Sequence, residues 1–339
     1  MDVVSNLSSF SFGSGLNEDE KKLIYLRARS AGLTFCGCAH AVYLCHHVHS
    51  LRCVIKRRTA DSHPLATAGD SDLCVGILGM GHMGKQLLLS ILEMTPIQPS
   101  QIKVSTRRPE SVELVETGVE CFFDNRRLAA WADVLFLCCL PSHLPKVCAD
   151  LRSRLSKHCL VYSFISAVAV TRLTELLGHD FIVKPQYSFV ACDTADVWLS
   201  CSHWTTALRD PLMIKASCPV TLSGKDVSLL QTSNLIFETW GLLYSLLNIC
   251  TSASVGSSDA LSLINIHLVH LNNTNICARF DLVLLVLKDF KKLPFPWISL
   301  TDAQTKETPL LRFLSSNKST QQCISAAYES LLETPAKKH

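Results

Sequence analysis

The segment Asp72–Leu88, DLCVGILGMGHMGKQLL, constrains the fold more than any other part of this chain. An apolar run leads into three glycines with the spacing G-x-G-x-x-G, and a helical pattern follows them. In a strand–loop–helix unit the first glycine permits a tight turn, the second lets the backbone approach a pyrophosphate, and the third lets the helix pack closely on the strand. The free N–H groups at the helix start would bind phosphate oxygens. The segment therefore predicts a cofactor-binding loop formed by Gly79, Met80, Gly81, His82, Met83 and Gly84; a glycine-rich turn without a ligand is the alternative.

Short aliphatic runs alternate with helical patterns on both sides of this loop. Strands are predicted at Leu73–Leu78, Ile102–Ser105, Val119–Phe122, Val134–Leu140, Cys159–Ser163 and Phe181–Lys184. Helices are predicted at Met83–Met94, Glu110–Thr117, Asn125–Trp131, Leu144–Leu155 and Thr171–Leu177. Since parallel strands need crossover connections, this alternation indicates an α/β fold, a Rossmann-type doubly wound parallel sheet. Residues 226–290 have apolar residues at helical spacing, so a mostly α-helical C-terminal domain is expected to follow the sheet.

The end of the second predicted strand indicates which dinucleotide the loop would hold. Proteins that bind NAD place an acidic residue there, about twenty residues after the glycine motif, where it accepts hydrogen bonds from the ribose. This chain has no acid at that point and instead has Ser105, Thr106, Arg107 and Arg108. A carboxylate would repel a 2′-phosphate, whereas a guanidinium can bind it with two hydrogen bonds. NADP is therefore favoured over NAD, with two solvated surface arginines as the alternative.

Composition excludes several classes of function. The net charge is +3 without a long basic block, so there is no electrostatic case for binding nucleic acid or an anionic membrane. The apolar segments are too short or too often interrupted by charges to span a bilayer. Many of the sixteen cysteines lie in apolar runs, and the N-terminus has the pattern of neither a secretory signal nor a transit peptide. A cytoplasmic protein with reduced cysteines is expected.

Three regions are predicted from these patterns. Residues 1–70 form an N-terminal extension and linker that is partly helical or disordered, residues 71–222 a dinucleotide-binding domain, and residues 223–339 a helical domain with an irregular tail. Within the extension, Asn17 is a suitable N-cap for a helix over Glu18–Ser30. The segment Cys36–Cys53 holds four cysteines and four histidines, but their spacing fits no structural zinc motif. An apolar helix or a loosely ordered segment is favoured there, and no metal ligand is assigned.

Residues 74–184 resemble the dinucleotide domain of pyrroline-5-carboxylate reductases. The similarity lies in the glycine motif, the S-x-R turn after the second strand, and the ungapped segment GVECFFDNRRLAAWADVLFLCCLP. This resemblance implies that Asn125 contacts the cofactor and that Cys139, Leu140 and Pro141 form a loop beside the nicotinamide ribose. It also implies a homodimer through the C-terminal helices. The segments NICTS, ASCP and LPFPWISLTDAQTKETP resemble a vertebrate oxidoreductase of the same lineage.

The substrate half departs from that family. Its S-G-S-G-P-A-Y and G-G-T-T segments are missing, Leu140 replaces a lysine, and KPQYSFV replaces its M-x-N-T-P loop. Proline synthesis is therefore not the expected reaction, and the catalytic residues are unknown. Candidates for a proton donor are Asn248, Thr251 and Ser252, whose helix is expected to cap the cleft, and the pair His267 and His270. Ordinary packing or surface roles are the alternative for all five.

Two functions of the dinucleotide-binding domain remain open from the sequence, beside a metal-dependent role for the segment Cys36–Cys53. The first is an NADP(H)-dependent oxidoreductase that transfers a hydride to a C=N or C=O carbon of an unidentified small molecule. The second is a catalytically inactive protein that senses NADP(H) or serves as a scaffold, because function depends on the site rather than on the fold.

Overall fold

Six parallel strands form one sheet in the part of the chain that the computed structural model describes, which is residues 17–62, 72–109, 118–187, 207–218, 236–270, 294–308, 312 and 316–333. The strands are β1 Val75–Leu78, β2 Ile102–Ser105, β3 Glu120–Phe122, β4 Val134–Leu137, β5 Leu160–Ser163 and β6 Ile182–Val183. Their order is β3-β2-β1-β4-β5-β6, and Gly76 of β1 pairs with Lys103 on one side and Leu135 on the other. This is the strand order of doubly wound dinucleotide-binding folds, so the predicted fold class is confirmed.

Helices precede, connect and follow these strands. In chain order they are α1 Glu18–Ser62, α2 His82–Met94, α3 Asn125–Trp131, α4 Leu144–Leu151, α5 Val170–Leu177, α6 Pro211–Ser217, α7 Ile236–Ser252, α8 Ser257–His270, α9 Leu300–Thr305 and α10 Lys318–Glu333. Two 3₁₀ turns, Pro99–Gln101 and Pro141–His143, precede β2 and α4. No described helix is both long enough and apolar enough to cross a lipid bilayer.

Two hydrophobic cores cover the two faces of the sheet. Successive strand residues point to opposite faces, so Val75 and Ile77 of β1 and Phe136 of β4 join the core formed with α1 and α2. Leu135 and Leu137 of β4 join the core formed with α3, α4 and α5. Strands β1, β4 and β5 are buried throughout, as their unbroken apolar sequences require.

The structure corrects several predicted boundaries. Strand β4 ends at Leu137 rather than Leu140, because the chain turns there into the 3₁₀ segment Pro141–His143. Helix α4 ends at Leu151, four residues early. The segment Pro211–Ser217 is a helix that buries Met213 and Ile214. Pro211 at its first turn favours this, since the missing N–H is not needed there. The helix predicted over Glu110–Thr117 lies outside the described residues.

Helix α1 differs most from the expected extension. It begins as predicted, since Asn17 Oδ1 accepts from the Glu20 N–H and Glu20 Oε2 accepts from the Asn17 N–H, both at 2.9 Å. It then continues to Ser62 through the whole Cys/His-rich segment. Its middle is buried on nearly every side, so it lacks the alternation of apolar and polar faces by which a surface helix is recognised. Within the described residues no cluster of three or more potential metal ligands occurs.

This helix connects the sheet to the C-terminal helices. It packs against α2 on one side and against α6, α7, α8 and α10 on the other. Part of the apolar surface of α7 is thereby covered within the same chain: Leu242, Leu243 and Leu246 are buried there. The homodimer and the three domain boundaries stay predictions.

Candidate functional site

The glycine loop begins directly at the carboxyl end of β1. Gly79 has φ +101°, in the left-handed region that favours glycine, and its N–H donates to Ser105 O of β2 at 2.9 Å. A Cβ at Gly79 would lie 3.0 Å from the carbonyl carbon and oxygen of Cys138. Gly79 therefore serves both the tight turn and the close approach of the loop that follows β4.

The other two glycines have different surroundings. A Cβ at Gly84 would lie 2.0 Å from Gly79 O, so only glycine lets α2 begin against this loop. A Cβ at Gly81 would meet nothing within 4 Å. Gly81 is the N-cap of α2, and the first N–H groups of a helix lack partners within the helix. The loop thus presents free donors beside open space, which fits a pyrophosphate, and a side chain at Gly81 would fill that space.

The remaining loop residues are divided between core and solvent. Met80 and Met83 are half-buried against the core, and Met83 Cε would lie 3.4 Å from a Cβ at Gly37 of α1. His82, the first residue of α2, is exposed. The two methionines therefore fix the loop on its inner side, while His82 lies at the phosphate end of the site.

At the end of β2, two predicted residues meet. Buried Ser105 donates from Oγ to Asn125 Oδ1 at 2.8 Å, and Asn125 Nδ2 donates to Asp150 Oδ2 at 3.0 Å. Thr106 is half-buried, and its N–H donates to Phe122 O at 2.9 Å. This Ser–Asn–Asp chain links β2, α3 and α4 and holds the strand end in place.

Both predicted arginines are exposed beyond this point. Arg107 Nη1 lies 3.4 Å from Nε2 of His143, in the 3₁₀ turn after β4. Because a guanidinium only donates, this Nε2 accepts. The sequence did not point to His143, since it faces Arg107 only when the ends of β2 and β4 are brought to one edge of the sheet.

The loop after β4 supplies apolar surface. Leu140 is 62% exposed, Pro141 is exposed, and Cys139 is half-buried. Burial raises the pKa of the Cys139 thiol and raises the pKa of Cys138 further, so both are protonated thiols near neutral pH. They contribute shape rather than nucleophilic chemistry, and exposed Leu140 is available to pack against a bound ring.

These segments lie at one edge of the sheet. Backbone N–H groups of Gly79, Cys138 and Phe164 donate to Ser105 O, Leu78 O and Leu137 O, so the ends of four neighbouring strands are aligned. The strand order reverses between β1 and β4, and open α/β sheets bind ligands in the crevice at that point. All fourteen predicted cofactor residues lie on the loops and helix starts of this edge.

The structure does not bring three of the predicted proton donors, Asn248, Thr251 and Ser252, to this edge. Asn248 is buried and fully engaged: its Nδ2 donates to Ile298 O and its Oδ1 accepts from the Ile298 N–H, at 2.8 and 2.9 Å. Ser252 contacts His158, which precedes β5 and so lies at the opposite, amino edge, and Thr251 is in the same helix end. His267 and His270 lie in the last turn of α8, where no side chain is described.

A buried histidine–tyrosine pair was not anticipated. Both ring nitrogens of His40, in α1, are hydrogen-bonded. Nε2 lies 2.7 Å from Ser217 O, and Nδ1 lies 3.0 Å from the hydroxyl of Tyr187, four residues after β6. A carbonyl oxygen only accepts, so Nε2 donates to Ser217 O, and Nδ1 shares the second hydrogen bond with the Tyr187 hydroxyl. The residues are 147 positions apart, so no local pattern could have joined them.

The fold and this edge define a Rossmann-type oxidoreductase-like protein with a dinucleotide cradle. Comparison with known proteins agrees: residues 74–167 match the family described as NADP oxidoreductase coenzyme F420-dependent. The chain is 39% identical to mouse (Mus musculus) NADP-dependent oxidoreductase domain-containing protein 1 over 97% of this chain and 93% of the mouse protein. It therefore belongs to the family of that protein.

More distant relatives match a shorter stretch of the chain or share little sequence identity with it. Pyrroline-5-carboxylate reductase of Escherichia coli strain K12 is 32% identical over 108 residues, which are 31% of this chain and 40% of that enzyme. The crystal structure of Plasmodium falciparum pyrroline carboxylate reductase with NADP bound is 16% identical, covers 77% of this chain and 98% of its own, and superimposes with a TM-score of 0.31. The resemblance predicted from the sequence motifs is confirmed.

Proposed function

We propose that this chain is an NADP(H)-dependent oxidoreductase that transfers a hydride between the nicotinamide and a C=N or C=O carbon of an unidentified small molecule. The observation that carries the proposal is the open space at Gly81, beside the free N–H groups of α2 and at the reversal of strand order. The name of the mouse relative and the description of the matching family support the cofactor.

Each group at the edge then has a defined task. The N–H groups of Gly81 and of the α2 start bind the pyrophosphate, and the positive end of the helix dipole favours its charge. Arg107 and Arg108 bind the 2′-phosphate, with His143 accepting from Arg107 and so orienting its guanidinium. Leu140 and Pro141 exclude water from one side of the nicotinamide riboside. The bound nicotinamide would supply the hydride.

The experiment is a titration with NADPH and with NADH. Charge-assisted hydrogen bonds contribute about 1.5–3 kcal/mol each, so Arg107→Ala combined with Arg108→Ala, which removes at least two of them, should weaken NADPH binding about a hundred-fold or more and leave NADH binding unchanged. Arg172→Ala is the matched control, since Arg172 is an exposed arginine of α5 paired with Glu175. Equal affinity of the wild type for both nucleotides would contradict the assignment of NADP.

The second candidate, a catalytically inactive NADP(H) sensor or scaffold, is favoured by one observation. Asn248 is engaged in the core, and Ser252, with Thr251 beside it, lies at the other edge of the sheet. Bound NADPH that is never oxidised across a panel of cyclic imines, keto acids and aldehydes would favour this candidate. Oxidation by any member of the panel would favour the enzyme.

The cellular location and the partners of the chain are also part of the proposal. The cysteines of the described residues are free thiols, in keeping with a reducing cytoplasm. The partners we propose are the small-molecule substrate and a second copy of this chain in a homodimer that uses C-terminal helix surface left exposed by α1. Nucleic acid and membrane are not expected partners.

A further inference from the structure

A second cavity lies at the amino edge of the sheet, away from the glycine loop. Its volume is about 870 Å³, within the range of small-molecule sites. Lys157 and His158 precede β5, His179 and Asp180 precede β6, Ser252 ends α7, and Trp297 belongs to the irregular segment before α9. Since the glycine loop follows the carboxyl end of β1, the two sites are separated by at least the length of a four-residue strand, roughly 13 Å.

Hydrogen bonds across segment boundaries shape the walls of this cavity. His179, 9% exposed, donates from Nε2 to Cys159 O at 2.7 Å and so joins the segments before β5 and β6. The hydroxyl of Ser252 lies 2.8 Å from Nδ1 of His158, which joins the end of α7 to the sheet. The polar groups that face the cavity are therefore held by both halves of the molecule.

Trp297 gives the cavity an apolar wall. Its ring lies edge-to-face on His158, with centroids 5.4 Å apart, and edge-to-face on Phe181, with centroids 5.0 Å apart. The indole is half-buried and is held by these two contacts, so its orientation is fixed before anything binds. A planar ring could pack against it without reordering the site.

The cavity is lined by one ammonium, Lys157, and one carboxylate, Asp180. The two charges act on different imidazoles: burial and the nearby Lys157 lower the pKa of His158, whereas burial lowers the pKa of His179 more than its hydrogen bonds and Asp180 raise it. The Lys157 side of the cavity also holds His158, hydrogen-bonded to Ser252, and Trp297. One cation, two hydrogen-bonding side chains and an aromatic wall thus converge on this side, which favours an anion there, while Asp180 lies on the His179 side.

We propose that this cavity binds a small molecule with a planar ring and one anionic group, a carboxylate or a phosphate. The ring packs against Trp297, the anionic group pairs with Lys157, and Ser252 and His158 hydrogen-bond to it. The site is separate from the proposed cofactor site, and the ligand would contact both the sheet and the end of α7.

The test is calorimetric titration of the full chain with benzoate and with phenyl phosphate, each with and without saturating NADP. Benzamide, an uncharged analogue of benzoate, measures the contribution of the anionic group. At least one anion should bind about ten-fold more tightly than benzamide, and Lys157→Met should remove that advantage. Ser252→Ala should weaken binding several-fold. Arg154→Met is the matched control, since Arg154 is exposed three residues away and does not line the cavity.

Three outcomes would overturn the proposal: binding of neither anion, equal anion affinity in Lys157→Met and wild type, or benzamide binding as tightly as the better anion. If NADP abolishes anion binding and Lys157→Met leaves it unchanged, the anion binds at the glycine loop. That result counts as equal anion affinity in Lys157→Met and wild type, and it overturns the proposal. A chain that binds no NADP but binds an anion through Lys157 would refute the proposed function and leave this inference standing.

Discussion

At the scale of single residues, three glycines with one motif spacing have three different physical roles. Position 84 requires glycine because a Cβ there would lie 2.0 Å from the backbone oxygen of Gly79. Position 79 requires glycine because its φ is +101°. Gly81 is required by neither contact nor conformation: its φ is −76° and a Cβ would meet nothing. The folded chain by itself does not need a glycine at position 81, and the proposed pyrophosphate site would use the open space beside it.

Substitution by alanine should separate these roles. Gly84→Ala forces α2 away from the loop and should destabilise the protein by about 2 kcal/mol or more. Gly81→Ala should leave the free energy of unfolding within about 0.5 kcal/mol of the wild-type value. It should nevertheless weaken NADPH binding at least ten-fold, because the methyl group occupies the pyrophosphate space. Urea unfolding and nucleotide titration of both variants measure this. Unchanged NADPH affinity in Gly81→Ala would show that the phosphates bind elsewhere.

At the scale of elements, α1 is the part of the fold that a dinucleotide-binding sheet does not require. Gly37 lies against the ring of Phe164, which follows β5, whereas Arg52 pairs with Asp133, which precedes β4. The helix therefore crosses the sheet from its carboxyl edge to its amino edge, antiparallel to the strands. The middle of α1 packs against α2 and α7, so that the facing surfaces of all three helices are buried. One element therefore connects the sheet with the C-terminal helices.

The pair Arg52–Asp133 should anchor this helix measurably. Both guanidinium nitrogens engage the carboxylate, with Nη2 to Oδ1 at 2.9 Å, and the Cys74 N–H donates to the same carboxylate at 2.9 Å. The side chains are only one-third exposed, so Arg52→Ala should lower the free energy of unfolding by about 1–2 kcal/mol. Lys22→Ala, which breaks an exposed pair on the same helix, should change it by less than about 0.5 kcal/mol. Equal effects in urea unfolding would mean that Arg52 is not an anchor.

At the scale of the whole molecule, the sheet separates two sites. The carboxyl edge holds the glycine loop, the Ser105–Asn125–Asp150 chain and Arg107, and the amino edge holds the cavity beside Trp297. Between them, α1 places several histidines in the interior. One of those imidazoles, His46, is expected to make the stability of the fold depend on pH.

Acid should weaken the fold through His46. Burial, with a smaller contribution from His49, lowers the pKa of His46 from 6.5 to about 4. The unfolded chain therefore binds the proton more tightly, so the contribution to stability is complete above pH 6.5 and is lost as the pH falls toward 4. Its size is up to about 3 kcal/mol. Urea midpoints measured across this range should fall less steeply for His46→Gln than for the wild type or for the exposed-site control His82→Gln. Identical slopes in all three proteins would refute the assignment.

The sequence by itself determined the sheet and its doubly wound class, and it predicted the place of the cofactor cradle. The signals that it used are local: strand and helix periodicity, the glycine spacing, and the hydroxyl and guanidinium groups at Ser105–Arg108. Each depends only on residues within a short stretch of the chain. The N-cap of α1 at Asn17 was equally local and is confirmed.

Only the tertiary structure decided which distant residues share an edge. His143 meets Arg107 across 36 positions, Tyr187 meets His40 across 147, and Ser252 meets His158 across 94, so each pair depends on crossover connections that no local pattern encodes. The full length of α1 was hidden for a related reason. A helix buried on nearly all sides loses the alternation of apolar and polar faces, and its identity then rests on the neighbours that cover it.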